Sequence, residues 1–557
     1  MIYWLIMSLA IFPIQDMGGS LAFQGQDIMG GAAIIFKPPQ RVKDLIGGAA
    51  SMMAVRRPGR ASRSSDVARN NDRNRSAPPV IPASTAVATT PAVRVEALKT
   101  QGDTYYDQRQ FTQALDAYQN AIKLAPQDAE AHGAAGDTYL SLSRFAEAAA
   151  AYEQTVRLQP KNSAAYSNLG FAYDKLNRSA ESIAALRNAV NLDPSDAVAF
   201  NNLGAALYKA GRYQEAIDAF NNAVRLQPND ADALNNLGAA LYVLEQYERA
   251  VESFQKAIVV RPDSADAQYN LGNAYYMTGK HREATVAYRR AIQLRPNYVE
   301  ARTNLGSLLI SLGEHRNAIA ELQESIRLRA NNPVAHNNLG YAYVKLAETS
   351  DRATATQYLR QAVDSYREAL RLMPDYVKAM NNLGAAYNKL GQYQEAVEIL
   401  ARATRAKPEF PEAHYNLGTA FYNRGQFKEA VVEFQKSVQL RKDYADAYNS
   451  LGSALYKDQQ FEPAIDAYKK TLELKPANAE TNNNLGTVYF RTKRYQEASA
   501  SFKEAIKLKP DYGEAHFNLA LVYVALGNRK AALDEYNKLK TVDPKLAEDF
   551  FQRHIKK

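Results

Sequence analysis

From about residue 98 onward, small and apolar residues recur along the chain at a fixed interval. The clearest marker is a glycine, replaced by alanine in the last unit, and it occurs thirteen times. Successive markers lie 34 residues apart, except for one interval of 44. The markers are Gly102, Gly136, Gly170, Gly204, Gly238, Gly272, Gly306, Gly340, Gly384, Gly418, Gly452, Gly486 and Ala520. Such a period is typical of stacked units that bury their apolar faces against one another.

Within each unit, the apolar positions predict two amphipathic helices joined by a short turn. In the unit of Gly204, Ala216 follows the marker by twelve residues and Phe220 by sixteen. We attribute the small size of Gly204 and Ala216 to a close crossing of the two helices. The predicted fold is therefore all-α.

Turn and cap residues mark the ends of these helices. Glycines such as Gly211 occupy the predicted turn, where a left-handed backbone ends the first helix. Pro228 ends the second helix of its unit, and Asp230 or Ser264 can cap the helix that comes next.

The combined pattern L-G-x2-Y, A-x3-F and P resembles the tetratricopeptide repeat (TPR) over residues ~98–545. The resemblance implies a right-handed TPR superhelical solenoid of about thirteen helix-turn-helix repeats, with a concave groove lined mainly by the first helices. The tryptophan of the family is absent. Residues in its place include His132, Phe200, His336, His414 and His516.

An asparagine stands two residues before the marker in most units, although helices tolerate asparagine poorly. At ~100° per residue, this position points roughly 200° away from the marker, so we expect its amide to face the groove. Stacked units would align these amides in a column that suits the N–H and C=O groups of an extended peptide. The column is Asn168, Asn202, Asn236, Asn270, Asn304, Asn338, Asn382, Asn416, Asn484 and Asn518.

Similar asparagine ladders line the TPR arrays of O-linked N-acetylglucosamine transferase and kinesin light chains, and this sequence resembles them. The resemblance implies that the column holds the main chain of a bound peptide. Aromatic and basic residues about one turn further on would contact its apolar and acidic side chains. They are Tyr208, Tyr242, Tyr276, Tyr422, Tyr456, Lys209 and Lys457. Two alternatives stay open: the tyrosines pack between repeats, or the asparagines merely keep the groove soluble.

One unit, between Gly340 and Gly384, is ten residues longer than the others. The insertion lies near 346–356, at the turn between the helices. It is either a contact for a specific partner or a tolerated surface insertion.

The first 97 residues differ from the array. Residues 2–14 form an apolar run of 13, and Ser20-Leu21-Ala22 follows, so we predict a secretory signal peptide over 1–22. No basic residue precedes Lys37, and a mis-assigned start is the alternative. Residues 23–97 are rich first in Arg and then in Pro, Ala and Thr, which predicts a disordered linker. We expect export to the periplasm or cell envelope, with a cytoplasmic location as the alternative.

Charge and composition exclude several classes of function. The formal charge is +9, but residues 1–97 hold 11 Lys/Arg and 6 Asp/Glu, a net of +5, so the array carries +4. A nearly balanced array argues against specific nucleic-acid binding. No apolar run reaches the ~20 residues of a membrane-spanning helix, so any membrane association would involve the N-terminal segment. The chain has no cysteine, which excludes thiolate zinc sites and cysteine nucleophiles.

Catalysis is not expected. Four of the seven histidines share one repeat position in non-adjacent units, and we interpret them as packing residues. No metal or triad constellation is present in the sequence, and we expect no cofactor.

We predict a non-enzymatic protein–protein interaction scaffold that binds extended polypeptide in its groove. The alternative is an architectural or self-associating spacer that uses the outer faces of the array. Residues 546–557 read as a C-terminal capping helix, with Leu546, Phe550 and Phe551 covering the last repeat.

Overall fold

The computed structural model describes residues 90–555 of the chain, and every regular element in that range is helical. There are 27 α-helices: thirteen hairpins and one short final helix, followed by a π-helical turn at Phe551–Ile555. No strand occurs among these residues. The all-α solenoid of helix-turn-helix repeats is therefore confirmed. The predicted signal peptide, 1–22, and most of the predicted linker, 23–97, lie outside the described residues.

The helices alternate regularly along the chain. The first helices of the repeats are α1 (Pro91–Asp107), α3 (Ala129–Ser141), α5 (Ser163–Lys175), α7 (Ala197–Lys209), α9 (Ala231–Val243), α11 (Ala265–Met277), α13 (Val299–Ser311), α15 (Pro333–Ala347), α17 (Val377–Leu390), α19 (Pro411–Asn423), α21 (Ala445–Lys457), α23 (Ala479–Arg491) and α25 (Gly513–Ala525). The second helices are α2 (Phe111–Leu124), α4 (Phe145–Leu158), α6 (Ser179–Leu192), α8 (Tyr213–Leu226), α10 (Tyr247–Val260), α12 (His281–Leu294), α14 (His315–Leu328), α16 (Arg352–Leu372), α18 (Tyr393–Ala406), α20 (Phe427–Leu440), α22 (Phe461–Leu474), α24 (Tyr495–Leu508) and α26 (Arg529–Val542). The last helix is α27 (Pro544–Phe550).

The described residues fall into two compact units, and the division lies between Ala301 and Arg302, inside α13. In the first unit, the core is built around rings that the second helices bury, such as Phe220 and Phe254. In the second unit, Phe434 has the same place. In both units the second helix thus supplies the large side chain of each repeat.

The marker position is glycine because a larger residue would collide with that large side chain. A Cβ atom added at Gly204 would lie 2.6 Å from the ring of Phe220, sixteen residues later. From the sequence we attributed the close crossing of the two helices to the small residues Gly204 and Ala216. Ala216 is buried, but the side chain that comes closest to Gly204 is the Phe220 ring. At Gly340 the ring belongs to Tyr366, 26 residues later, because the insertion lies between the two positions.

The turns and caps form as the sequence predicts. Gly211 has a φ of 75°, the left-handed backbone that ends the first helix. The Asp230 carboxylate accepts from the backbone N–H groups of Asp232 and Ala233 at 2.9 and 3.1 Å. The Ser264 hydroxyl accepts from Ala267 at 3.2 Å. These side chains satisfy donors that the first turn of a helix leaves open.

The ten inserted residues lengthen helices and do not form a long loop. Helix α15 has 15 residues and α16 has 21, whereas α7 and α8 have 13 and 14. The Asp351 side chain caps α16 by accepting from Ala353 and Thr354. Tyr343 stacks on Tyr358 with their ring centroids 6.1 Å apart, so the added turns are packed against each other.

The array begins earlier than the linker prediction of 23–97 allowed. Helix α1 starts at Pro91, where the fixed φ of proline suits the first helical position. Val95 is buried in a cluster with Ala121 and Ala131. Residues 91–97 therefore belong to the first repeat. They continue its first helix and bury Val95 against the neighbouring helices, although their composition resembles that of the linker.

At the other end, the capping helix predicted from residue 546 starts at Pro544 and gives way to the π-helical turn. Phe550 is fully buried and meets Phe517 edge to face at 5.5 Å. Phe551 stacks on Tyr536 at 5.7 Å. None of the described helices combines the length and the apolar character needed to span a membrane.

Replacing Gly204 with alanine is expected to destabilise its repeat by about 1–3 kcal/mol, because the new methyl group would overlap the Phe220 ring. Hydrogen exchange of α7 and α8 measures this loss locally, since a long repeat array does not unfold in two states.

The control is Ala520→Gly, at the one marker position that already holds a Cβ. Its expected cost is the helix propensity of glycine, about 1 kcal/mol or less. Equal exchange in wild-type chain and Gly204→Ala would contradict the role given to the ring contact.

Candidate functional site

The predicted asparagine column lies on the first helices, but its amides are buried. All ten residues are between 0 % and 6 % exposed: Asn168, Asn202, Asn236, Asn270, Asn304, Asn338, Asn382, Asn416, Asn484 and Asn518. The expectation that these amides stand open to the groove is therefore wrong. The helical period correctly predicts that these side chains point away from the marker glycine. It contains no information about the neighbouring repeat, which covers them.

Five of these amides donate a hydrogen bond to an asparagine of the preceding repeat. The acceptor is the residue three before that repeat's marker, which is the first asparagine of the Asn-Asn doublet. We call each such bond a rung. The rungs are Asn236–Asn201, Asn270–Asn235, Asn382–Asn337 and Asn518–Asn483 at 3.1 Å and Asn416–Asn381 at 2.8 Å. The sequence carries a signal for these bonds, the Asn-Asn doublet, but we predicted a role only for its second asparagine.

Where the preceding repeat lacks a doublet, the amide finds another acceptor. Asn168 Nδ2 donates to the Asp137 carboxylate at 3.1 Å and to the Tyr152 hydroxyl at 3.3 Å. Asn338 Nδ2 donates to the Ser307 hydroxyl at 2.6 Å. The column thus joins successive repeats within each unit, since a buried amide is costly without a partner.

The carbonyl side of the column is less well satisfied. The Oδ1 atoms of Asn236, Asn270, Asn382 and Asn518 are buried and accept no hydrogen bond within the described part of the chain. An unpaired buried acceptor costs about 1–3 kcal/mol. The amides therefore have their donors engaged between repeats, while these four buried oxygens receive no hydrogen bond from a described residue.

The tyrosines of the predicted site pack inside their own hairpins. Each contacts the aromatic residue that opens the second helix, for example Tyr208 against Tyr213 with centroids 5.2 Å apart and planes at 72°. Tyr208, Tyr242 and Tyr422 are buried, and Tyr276 and Tyr456 are half-buried. Burial raises the pKa of the two half-buried phenols. The phenols thus pack, as the alternative from the sequence held, but these ring contacts lie within one hairpin and not between repeats.

The two lysines of the predicted site differ from each other. Lys209 Nζ contacts both carboxylate oxygens of Asp174 in the preceding repeat, at 2.8 and 2.5 Å. Lys457 is half-exposed, and the residue at the place of Asp174 in its preceding repeat is Tyr422. Lys209 is therefore already neutralised, whereas Lys457 faces no acid at that position.

A cavity of about 320 Å³ lies at the edge of the first unit. Its two arginines are paired: Arg261 holds Asp232 at 2.6 and 3.0 Å, and Arg295 holds Asp266 at 2.9 and 2.8 Å. These bidentate pairs tie the start of a first helix to the end of its second helix. We therefore assign the cavity a structural role.

Among residues 90–555, no group of three or more His, Asp or Glu side chains is arranged to hold a metal ion. His414 and His516, interpreted from sequence as packing residues, contact the half-buried Glu433 and the buried Glu535. Sequence reasoning missed these pairs, although each glutamate follows its histidine by the same 19 residues.

Comparison with known families matches tetratricopeptide repeats in the second unit. The family described as "TPR repeat" matches residues 306–346, 384–425, 418–459, 452–493 and 486–527. Two families described as "Tetratricopeptide repeat" match residues 365–398 and 513–546. The family described as "Cilia and flagella-associated protein 70 C-terminal domain" matches residues 75–297. No match was found among curated proteins.

Several solved structures are similar to parts of the chain. The APC/C hetero-tetramer Cut9–Hcn1 is 15% identical, covers 85% of this chain and 99% of its own, and has a TM-score of 0.39. MamA is 26% identical over 30% of this chain and 97% of its own, with a TM-score of 0.29. YrrB, titled a TPR protein with an unusual peptide-binding site, is 23% identical, covers 35% of this chain and 95% of its own, and has a TM-score of 0.30. TM-scores this low carry no conclusion about function.

The rung between Asn382 and Asn337 offers a direct test of inter-repeat pairing. Each single alanine substitution is expected to destabilise the second unit by about 1–3 kcal/mol, because it leaves a buried amide unpaired. The double substitution should cost less than the sum, with a coupling of about 0.5–1.5 kcal/mol measured by hydrogen exchange of α15 and α17.

As a control, Asn382→Ala combined with Asn270→Ala, which belongs to another rung, should be additive. Additivity within the Asn382–Asn337 pair as well would show that the rung contributes nothing.

Proposed function

Because the chain belongs to the tetratricopeptide repeat family, whose architecture supports protein–protein interaction, we propose that it is a non-enzymatic scaffold that binds extended polypeptide. The binding face is the one formed by the first helices, along the asparagine column. The bound segment donates its backbone N–H groups to the asparagine carbonyls, which are closed to solvent in the free chain and are reached only when neighbouring repeats move apart. No cofactor takes part.

One observation carries this proposal: the carbonyls of the column lack donors. Asn236, Asn270, Asn382 and Asn518 each bury an Oδ1 atom without a hydrogen bond from any described residue. Native proteins pair nearly all such atoms, so each exception needs an explanation. An N–H group of a bound chain, supplied once per repeat, is an explanation that covers all four.

The structure also changes the form of recognition that the sequence suggested. An open amide would offer a donor and an acceptor, but here the donors are engaged in rungs. Tyr208 and Lys209 are engaged too, within the hairpin and with Asp174. Recognition therefore rests on the main chain of the ligand and has low selectivity for its side chains.

Binding energy must come from several repeats acting together. One hydrogen bond contributes only ~0.5–1.5 kcal/mol, whereas micromolar affinity needs about 8 kcal/mol. A donor that reaches one of these carbonyls also removes the penalty of a buried unpaired acceptor, so each such bond lies at the upper end of that range.

The test uses an extended peptide selected from a random library by its binding to the full chain. The double variant Asn236→Ala/Asn270→Ala removes two ladder carbonyls. Its affinity for that peptide, measured by calorimetric titration, is expected to fall about 5- to 150-fold, which corresponds to ~1–3 kcal/mol.

A matched control keeps the two carbonyls and removes their rung partners. Asn201→Ala/Asn235→Ala breaks the same two rungs, so it should lose similar stability while binding the peptide at close to wild-type affinity. Equal losses of affinity in both double variants would refute the ladder role. Peptide cross-links confined to the second helices would favour the architectural alternative.

We further propose that the protein is exported, on the basis of the apolar run and the small residues at its N-terminus. Sequencing of the mature N-terminus is expected to begin at Phe23, directly after Ala22. A mature chain that retains Met1 or the apolar residues 2–14 would exclude a cleaved signal peptide.

A further inference from the structure

Three repeats of the second unit share a contact between a basic residue and a glutamate that is at least partly buried. The basic residue lies four before the marker on the first helix, and the glutamate follows it by 19 residues on the second helix. We call this position the ion-pair slot. Its occupants are Arg302 with Glu321, His414 with Glu433, and His516 with Glu535. One slot uses a permanently charged guanidinium, and the other two use imidazoles that can titrate.

In the slot of His414, both ring nitrogens face oxygen acceptors. Nδ1 lies 2.6 Å from a carboxylate oxygen of Glu433, and Nε2 lies 2.9 Å from the carbonyl oxygen of Pro408, in the turn after α18. A neutral imidazole has one N–H and can donate only one of these bonds. While Glu433 is ionised, both bonds form together only when both ring nitrogens carry a proton.

His516 repeats this arrangement in the last hairpin. Nδ1 contacts Glu535 on α26, and Nε2 lies 3.0 Å from the carbonyl oxygen of Pro510, in the turn after α24. The imidazole and the carboxylate are 4 % and 5 % exposed. The charged ring therefore connects α25, α26 and the turn that precedes them.

Two other histidines occupy the same first-helix position, pair with a backbone carbonyl instead of a glutamate, and serve as an internal comparison, although the charges of Glu368 and Arg371 act on His336. His132 and His336 each place Nε2 near a backbone carbonyl, of Pro126 at 3.0 Å and of Ala330 at 3.2 Å. The residue 19 after His132 is Ala151. A neutral ring satisfies that single bond, and burial lowers the pKa of His336.

The charges around His516 favour its protonated form. The hydrogen bond to Glu535 raises the pKa of the imidazole, while burial and Lys538 oppose that shift. Lys538 also contacts Glu535 at 3.1 Å. Burial opposes ionisation of Glu535, but the bonds from His516 and Lys538 prevail and lower its pKa. The corresponding lysine near Glu433 is Lys436, at 3.5 Å.

We propose that the His516–Glu535 pair forms a pH-sensitive latch, a contact that holds the last hairpin together while the imidazole is charged. Folding raises the pKa of His516 above its unfolded value near 6.5, so the stabilisation is fully present below that pH. It is lost as the pH rises through the folded value. Because α27 packs on α25 and α26, separation of these two helices also weakens the packing of Phe550.

Hydrogen exchange of the full chain, corrected for intrinsic rates, tests the latch between about pH 6 and pH 8.5. Protection of α25 and α26 is expected to fall over this range, because the charged ring stabilises the folded hairpin and loses its proton as the pH rises. The double variant His414→Arg/His516→Arg copies the slot of Arg302 and should abolish this fall. His132→Gln/His336→Gln, which alters rings without a glutamate, should leave the fall unchanged.

A measurement on the wild-type chain guards against variants that fail to fold. Nitrogen-15 spectra of the imidazoles, assigned through single substitutions, should show both ring nitrogens of His516 still protonated at a pH at which His336 has become neutral. A neutral ring there would overturn the latch. So would an arginine variant that folds and keeps the wild-type pH dependence.

Discussion

The structure depends on one steric contact, the approach of the marker glycine to the large side chain of its own second helix. A Cβ atom at Gly136 would lie 2.8 Å from Tyr152, and one at Gly486 would lie 2.7 Å from Phe502. This contact brings the two helices of a hairpin together and leaves the other face of the first helix to the neighbouring repeats. Rungs, tyrosine packing and ion-pair slots all occupy positions that this contact sets.

Polar side chains on the crowded inner face must find partners, and the chain provides them through its repetition. The second asparagine of one doublet donates to the first asparagine of the doublet before it. A similar relation holds inside the hairpins: Tyr288 buries its hydroxyl 2.7 Å from Asn273, whereas the equivalent of Asn273 beside Phe220 is Ala205. In these pairs a buried donor meets an acceptor from the same or the preceding repeat, which avoids the cost of an unpaired group.

Because most buried polar groups are paired, the groups that are not paired in the usual way are informative. Ladder carbonyls without donors point toward a missing partner, which we assign to a bound polypeptide. Buried imidazoles with two acceptors point toward a bound proton. In both cases a repeated scaffold offers internal controls, since neighbouring repeats share the geometry and differ in the one group that matters.

The sequence by itself determined the repeat, the helix pairs, their turns and their caps, because these follow from local periodicity, from the backbone freedom of glycine and from short-range capping. It also placed the asparagines in one column on the first helices. Only the tertiary structure decided that the amides of that column are sealed, that Tyr208 packs within its hairpin and that Lys209 is already paired. The reason is physical: a helical wheel gives the direction of a side chain, whereas its burial and its hydrogen bonds depend on residues about 35 positions away that the superposed repeats bring alongside it.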